Sequence, residues 1–312
     1  MSGLFCFIQP HQQRCFNVKS DCLQRFLFDN AAIRGEWVNL QETWQEVLNR
    51  RDYPAPIRRV LGEMMGAAAL LTSTVKIKGR LVLQIRSEGP VSLLMVECTS
   101  ANTLRAFAQW EGEVDDSQGL SDLTGEGTLA ITIEVEGAKQ PYQGVVSVQG
   151  NTIADTLETY FAHSEQLATK IWLYANDHNV AGLFLQQLPS EEADKEKAEE
   201  DWSRISQLAS TVTDEELLTL EMETLLHRLF HEEEVRVFDP ATLSFACTCS
   251  RERVSETISM LGQEEAEDII DAEGGIEVAC EFCNEHYHFD KVDVAEIFSD
   301  AVSPGSDPDT LH

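Results

Sequence analysis

The sequence predicts an α+β protein in three parts: a mostly antiparallel-sheet N-terminal domain, a helical metastable linker, and a small C-terminal zinc domain with four cysteine ligands. Three observations predict it. From Val75 to about residue 150 the apolar period is close to two, in consecutive runs separated by Gly, Asp and Pro turns, which favours antiparallel neighbours over a doubly wound sheet. The stretch EEADKEKAEED from Glu191 to Asp201 then precedes a leucine-rich helical segment. Four of eight cysteines close the pattern as two tight pairs near the C-terminus. At about one domain per 150 residues, 312 residues suit a large and a small domain, with expected spans 1–190, 191–238 and 239–312.

In chain order, Cys22–Phe28 and Ile33–Leu40 read as strands, with Asp29-Asn30 as the turn between them. Glu42–Asn49 has helical spacing through Trp44, Val47 and Leu48. Pro54 and Pro56 break the chain before a second helix over Ile57–Leu71. That helix holds Gly62, Gly66, Ala67, Ala68 and Ala69, and Arg58, Arg59 and Glu63 share the segment. The small residues therefore read as close packing on a sheet, not as a membrane dimerisation stripe. Strands are expected at Leu81–Arg86, Val91–Cys98, Leu104–Trp110, Leu129–Val135 and Tyr142–Gln149. A helix over Ile153–Phe161 and a strand pair at Lys170–Tyr174 and Ala181–Gln187 complete the domain, and Pro189 ends it. It shows no phosphate-cradling glycine loop, no Gly-x-Ser-x-Gly and no His/Asp/Ser set, so the chain is expected not to be an enzyme.

The acidic stretch, with seven carboxylates and two lysines, reads as a solvated linker or a frayed helix. Ser203–Glu234 sets eleven apolar residues among many acids. Thr213 and Glu216 fit a capping box, and Leu218, Met222, Leu225, Leu226 and Leu229 fall near one helical face. Such a helix needs a surface to bury against, and its crowded carboxylates oppose independent stability. It reads either as an ordinary docked hairpin or as a conditionally folded segment.

Charge narrows the function classes. Against 23 basic residues stand 54 acidic ones, a formal net charge of −31. A chain so acidic repels nucleic-acid phosphates and anionic lipid, and no basic patch overrides the total, so neither nucleic acid nor membrane is an expected partner. No run approaches the roughly 18 apolar residues of a membrane helix. Leu4–Ile8, soon interrupted by Pro10, is too short for a secretory signal, and the expected compartment is the cytoplasm.

There, thiols stay reduced and paired cysteines favour metal or redox chemistry. Cys247 and Cys249, then 30 intervening residues, then Cys280 and Cys283 supply four thiolates from two short loops. Four sulfurs closing a tetrahedron point to zinc, with an iron–sulfur cluster as the alternative. Such a site has no open position, so it is structural or redox-active rather than hydrolytic. Val254, Ile258 and Leu261, ended by Gly262, and then Ala266, Ile269 and Ile270 make only two short apolar stripes, too little core for a unit this small without a metal. His286 and His288 alternate with Tyr287 and Phe289 as in a strand and read as surface or core residues, not ligands. The spacing also permits oxidation to Cys247–Cys249 and Cys280–Cys283 bonds, which removes all four ligands together. Cys6, Cys15, Cys22 and Cys98 are scattered and carry no motif.

The segments CTCSRERV at 247–254 and CEFCNEHYHF at 280–289 resemble the family of redox-regulated bacterial heat-shock holdases, the 33-kilodalton chaperonins. YQGVV at 142–146, YFAHSEQL at 160–167, EELLTL at 215–220 and HEEEVRVFDP at 231–240 extend the likeness through most of the chain. The resemblance implies an ATP-independent chaperone, inactive while reduced and zinc-bound. It implies that Cys247, Cys249, Cys280 and Cys283 are both zinc ligands and redox sensors. Oxidation would then form two disulfides, release Zn2+ and unfold the preceding segment, and active homodimers would hold unfolding client proteins. Two other classes compete. A zinc-ribbon nucleic-acid or regulatory module needs basic flanks, yet Glu264, Glu265, Glu267, Asp268 and Asp271 lie between the pairs. A thiol oxidoreductase using Cys280 and Cys283 needs a βαβ setting that the sequence does not show.

Overall fold

The computed structural model describes residues 21–75, 78–189 and 194–300. Strands β1 (Cys22–Phe28) and β2 (Ile33–Leu40) form an antiparallel pair across the expected turn. Helix α1 (Glu42–Leu48) follows at once. The Asp21 carboxylate accepts from the backbone N–H groups of Gln41 and Thr43 and from the Thr43 hydroxyl, fixing where the helix starts. Helix α2 (Ala55–Thr74) opens with Pro56 in its first turn, where a missing N–H costs nothing. It outruns the expected span and is buried on nearly every side.

The reason is its position between two sheets. A second sheet contains β3 (Gly79–Arg86), β4 (Val91–Thr99), β5 (Thr103–Trp110), β6 (Thr128–Val135) and β7 (Tyr142–Ser147), with the short unpredicted helix α3 (Leu120–Thr124) between β5 and β6. Its order is β5-β4-β3-β6-β7, every pair antiparallel. Helix α4 (Ile153–Tyr160), capped by Thr152 and Asp155, leads to β8 (Thr169–Ala175) and β9 (Val180–Gln187), which return to the first sheet in the order β1-β2-β9-β8. Helix α2 packs on both sheets. A Cβ on Gly62 would lie 2.5 Å from the Ala175 Cβ, and one on Gly66 3.2 Å from Val180, so the small residues serve helix–sheet contact as expected.

Of the two readings of the acidic stretch, solvated linker or frayed helix, the structure has the helix, and it is docked instead of frayed. From Lys195 it is part of a regular helix, α5 (Lys195–Ala209); residues 191–193 lie outside the described residues. Ala198 is buried and its carbonyl accepts from Gln187, while buried Asp201 is neutralised by Arg204 at 2.8 Å. The expected leucine-rich face is divided between α6 (Asp214–Thr219), which holds Leu218, and α7 (Met222–Phe230), which packs beside α5, with the Thr213–Glu216 capping box at the start of α6. Together they bury Ile205, Leu217, Leu225 and Leu229 on the outer face of the first sheet, against Phe26, Phe28, Trp37 and Leu183.

Three strands too short to leave a periodic signal follow. β10 (Val235–Val237) and β11 (Ala241–Thr242) pair with β1, and β12 (Ser244–Phe245) runs parallel to β5. The remainder is α8 (Arg251–Leu261), α9 (Gln263–Glu273), a hairpin of β13 (Ile276–Ala279) and β14 (His286–Phe289), and α10 (Lys291–Asp300). Its buried centre is small: Ile258, Ala266, Ile270, Ile276, Phe289 and Val294. Leu261, expected in the apolar stripe, is exposed, because the turn at Gly262 (φ +96°) swings the end of α8 away from that centre.

Candidate metal centre

Each cysteine pair sits where the backbone has just been fixed by hydrogen bonds. On the first, the Ala246 N–H donates to the Leu104 carbonyl, so β12 delivers Cys247 beside β5. Ser250 caps α8 directly after Cys249, and Arg253 from the first turn of α8 donates to the Thr248 carbonyl and hydroxyl, closing the loop. On the second, the Asn284 N–H donates to the Cys280 carbonyl and the Cys280 N–H to the Glu285 carbonyl. Asn284 takes φ +56°, a left-handed turn that asparagine tolerates better than most residues.

The four predicted sulfurs are brought together, all within 4.8 Å of one another. Cys247 and Cys280 approach to 3.7 Å and Cys249 and Cys283 to 3.2 Å. A tetrahedron with Zn–S bonds of about 2.3 Å has edges of about 3.8 Å, so the set fits a four-coordinate zinc with little movement. All four are half-buried. Burial opposes a Cys247 thiolate, but hydrogen bonds from the Cys249 backbone and side chain, from Cys283 and from Arg105 outweigh it and bring the thiol down to about 7. Burial raises Cys280 and Cys283. The Tyr287 hydroxyl donates to the Cys249 sulfur at 3.2 Å.

Among the described residues no histidine joins the cluster. His286 and His288 lie on β14 with exposed side chains, His288 facing Glu277. Cys22 and Cys98 lie apart on β1 and β4, and burial pushes both thiols up to about 11. Cys6 and Cys15 lie outside the described residues.

Sequence reasoning did not find the groups that surround the sulfurs. Arg105 and Phe107 on β5, and Arg51 before α2, reach the Cys280–Cys283 knuckle through Phe282 and Glu281. A contact between residues 142 positions apart, as between Arg105 and Cys247, leaves no local pattern to read. The basic side chains of α8 are already engaged. Arg251 pairs with Asp293 at 2.8 Å and stacks on Phe289, and Arg253 is bonded to Thr248. Cys280 and Cys283 sit between two antiparallel strands, not at the helix start that activates an oxidoreductase thiol.

Fold and site together define a two-sheet α+β protein with a C-terminal four-cysteine module. The chain belongs to the Hsp33 family: the family model described as Hsp33 protein matches residues 21–290. It is 50% identical over 282 residues to the 33 kDa chaperonin of Nitrosococcus oceani, covering 90% of this chain and 96% of that protein. It is 48% identical over 290 residues to that of Pseudomonas aeruginosa, covering 92% and 97% respectively. Among solved structures, the 33 kDa chaperonin of Thermotoga maritima superposes with a TM-score of 0.79 at 25% identity, over 90% of this chain and 99% of the other.

Proposed function

We propose that this chain, a chaperone by its family, is a redox-regulated, ATP-independent holdase of the cytoplasm. It rests while Cys247, Cys249, Cys280 and Cys283 are reduced and hold Zn2+, and after oxidation it acts as a homodimer on unfolding client proteins. Zinc at this closed site would supply cross-linking alone, with no open position for hydrolysis.

The observation that carries the reading is the outer face of the first sheet. Phe26, Phe28, Trp37 and Leu183 are covered by α5–α7, of which α5 and α6 are rich in carboxylates while α7 carries only Glu223. Strands β10–β12 tie the end of those helices to the cysteine loops. Burying each large side chain contributes on the order of 1.5–3 kcal/mol, opposed by the repulsion of crowded acids, so the cover is a balance that a lost anchor can tip. Once it lifts, both the sheet face and the helices present apolar surface to a client.

The chemistry at the anchor belongs to the cysteines. Each disulfide takes two electrons from two thiolates, and a peroxide accepts them with two protons and leaves as two waters. In the folded site the close approaches run across the loops, Cys249 to Cys283 at 3.2 Å and Cys247 to Cys280 at 3.7 Å, so proximity in the fold does not select the local pairs. Once the loops separate, Cys247 and Cys249, or Cys280 and Cys283, remain within a few residues of each other, whereas cross-loop pairs need the fold intact.

The reduced protein should carry about one Zn2+ per chain, the stoichiometry of a closed four-thiolate site. Peroxide with mild heat should form Cys247–Cys249 and Cys280–Cys283, release that zinc and suppress aggregation of a denatured test protein without ATP. Equal suppression by the reduced protein would remove the switch, and a Cys247–Cys280 bond in mass mapping would overturn the local pairing.

A further inference from the structure

Arg105 is the side chain of the first domain that touches the cysteine cluster most directly. Its Nη1 donates to the Cys247 sulfur at 3.8 Å, and its guanidinium stacks 4.1 Å from the centroid of Phe282, the residue before Cys283. Its Nη2 donates at 2.8 Å to Glu97, a carboxylate only 5% exposed that also binds Arg80. Among the described residues the buried Arg105 Nε has no hydrogen-bond partner. Arg105 is thus pinned from its own domain and committed, across the boundary, to one sulfur and one ring.

The rest of the knuckle is spent in the same direction. Phe282 meets Phe107 of β5 edge to face at 4.7 Å and lies outside the small buried centre of its own module. Glu281 binds Arg51 at 3.0 Å, and Arg51 also donates to the Ala108 carbonyl of β5. Both residues between Cys280 and Cys283 therefore dock the loop on β5 and do little for the module itself.

We propose that Arg105 is a positioning residue that clamps the reduced cysteine cluster to β5 through its thiolate charge, so that disulfide formation itself releases the clamp. The proposal rests on the holdase reading and names how the first domain senses the oxidation state. Four thiolates around a divalent ion keep two negative charges, a good partner for a half-buried guanidinium. Once Cys247 is in a disulfide its sulfur is neutral and a weak acceptor, and Arg105 retains only Glu97. β12 leads directly into Cys247, so release at this point frees the chain that holds α5–α7 down.

The test uses the reduced, zinc-loaded full chain. R105Q should lose zinc to a competing chelator about three- to tenfold faster than the wild type, the range for one lost hydrogen bond of ordinary net strength. Hydrogen exchange in residues 195–245 should also quicken before any oxidant is added, with β3, β4 and β6 as protected as before. R105K, which keeps the charge but not the planar fork, should recover part of both effects. F282L should show the same shifts at smaller size, because its side chain lies outside the buried cores of the first domain. Wild-type zinc retention and exchange in both R105Q and F282L would overturn the proposal, as would equal losses in R105Q and R105K, which mark a packing role without a charge role. The holdase reading fails on a different result: a wild-type protein that binds no zinc, or whose holding activity ignores oxidation.

Discussion

The rings of Phe28 and Phe230 meet edge to face, with centroids 5.0 Å apart and planes at 87°. This contact joins α7 to β1, and Phe26 packs beside both rings. It is the aromatic centre of the cover over the first sheet, with Leu225 fully buried in the same cluster. Replacing a buried leucine by a small residue costs about 2–5 kcal/mol, and a hydroxyl adds an unpaired polar group. Leu225→Ser should therefore raise hydrogen exchange across residues 195–230 and give part of the holding activity without oxidant. An oxidation requirement as complete as that of the wild type would make α5–α7 a passive tether.

In the proposed zinc site Cys249→Ser replaces one thiolate ligand, and with it the sulfur that accepts from the Tyr287 hydroxyl, by a poorly coordinating hydroxyl. A zinc left with three thiolates is held more weakly, and binding free energy in such a module is folding free energy. The variant should lose zinc to a chelator at lower concentration, and exchange should quicken from about Asp239 onward while the two-sheet domain keeps its protection. Retention of zinc at wild-type affinity would show that a fourth ligand other than Cys249 completes the site.

The strands of the first domain were legible either from period-two alternation or from apolar and aromatic runs bounded by turn residues, and the four sulfurs because cysteine pairs at this spacing have few other uses. Other features, the short helix α3 among them, were not. β10, β11 and β12 are two or three residues long, below the length at which alternation means anything. The docking of Lys195–Asp201, read as a solvated linker or a frayed helix, was hidden by its charge, since Ala198 and Asp201 become favourable inside only through partners on β9 and within α5. Arg105 gave no sign of its role because its partner is distant in sequence and its neighbours on β5 read as an ordinary strand.

Gly62 tests the central helix. A side chain there meets Ala175 and Val180 on the first sheet with no flexible end to give way. Gly62→Val should lower the thermal midpoint by the equivalent of about 1–3 kcal/mol, the usual cost of overpacking. Because α2 does not touch the cysteine cluster, zinc affinity of the folded fraction should stay as in the wild type. A thermal midpoint unchanged by the substitution would contradict the close approach of α2 to β8 and β9.

Glu36 makes the stability of the first domain depend on pH. It lies on β2, 2% exposed, with the Ser73 hydroxyl of α2 bonded to its carboxyl. Burial raises it from 4.5 to about 8, and the charges of Arg34 and Arg25 offset that only in part. The folded state therefore holds a proton that the unfolded chain has released above 4.5, so the contribution is complete at low pH and is lost as pH rises through about 8. Glu63 on α2, raised by burial to about 7, acts with the same sign. Glu36→Gln keeps the shape and a hydrogen bond for Ser73 with no charge to bury. Compared at each pH with the wild type, so that the cysteine site cancels, its thermal midpoint should gain steadily from about pH 5 to about pH 8. Parallel pH profiles for the two proteins would mean that Glu36 is ionised in the fold, and the buried proton would have to be abandoned.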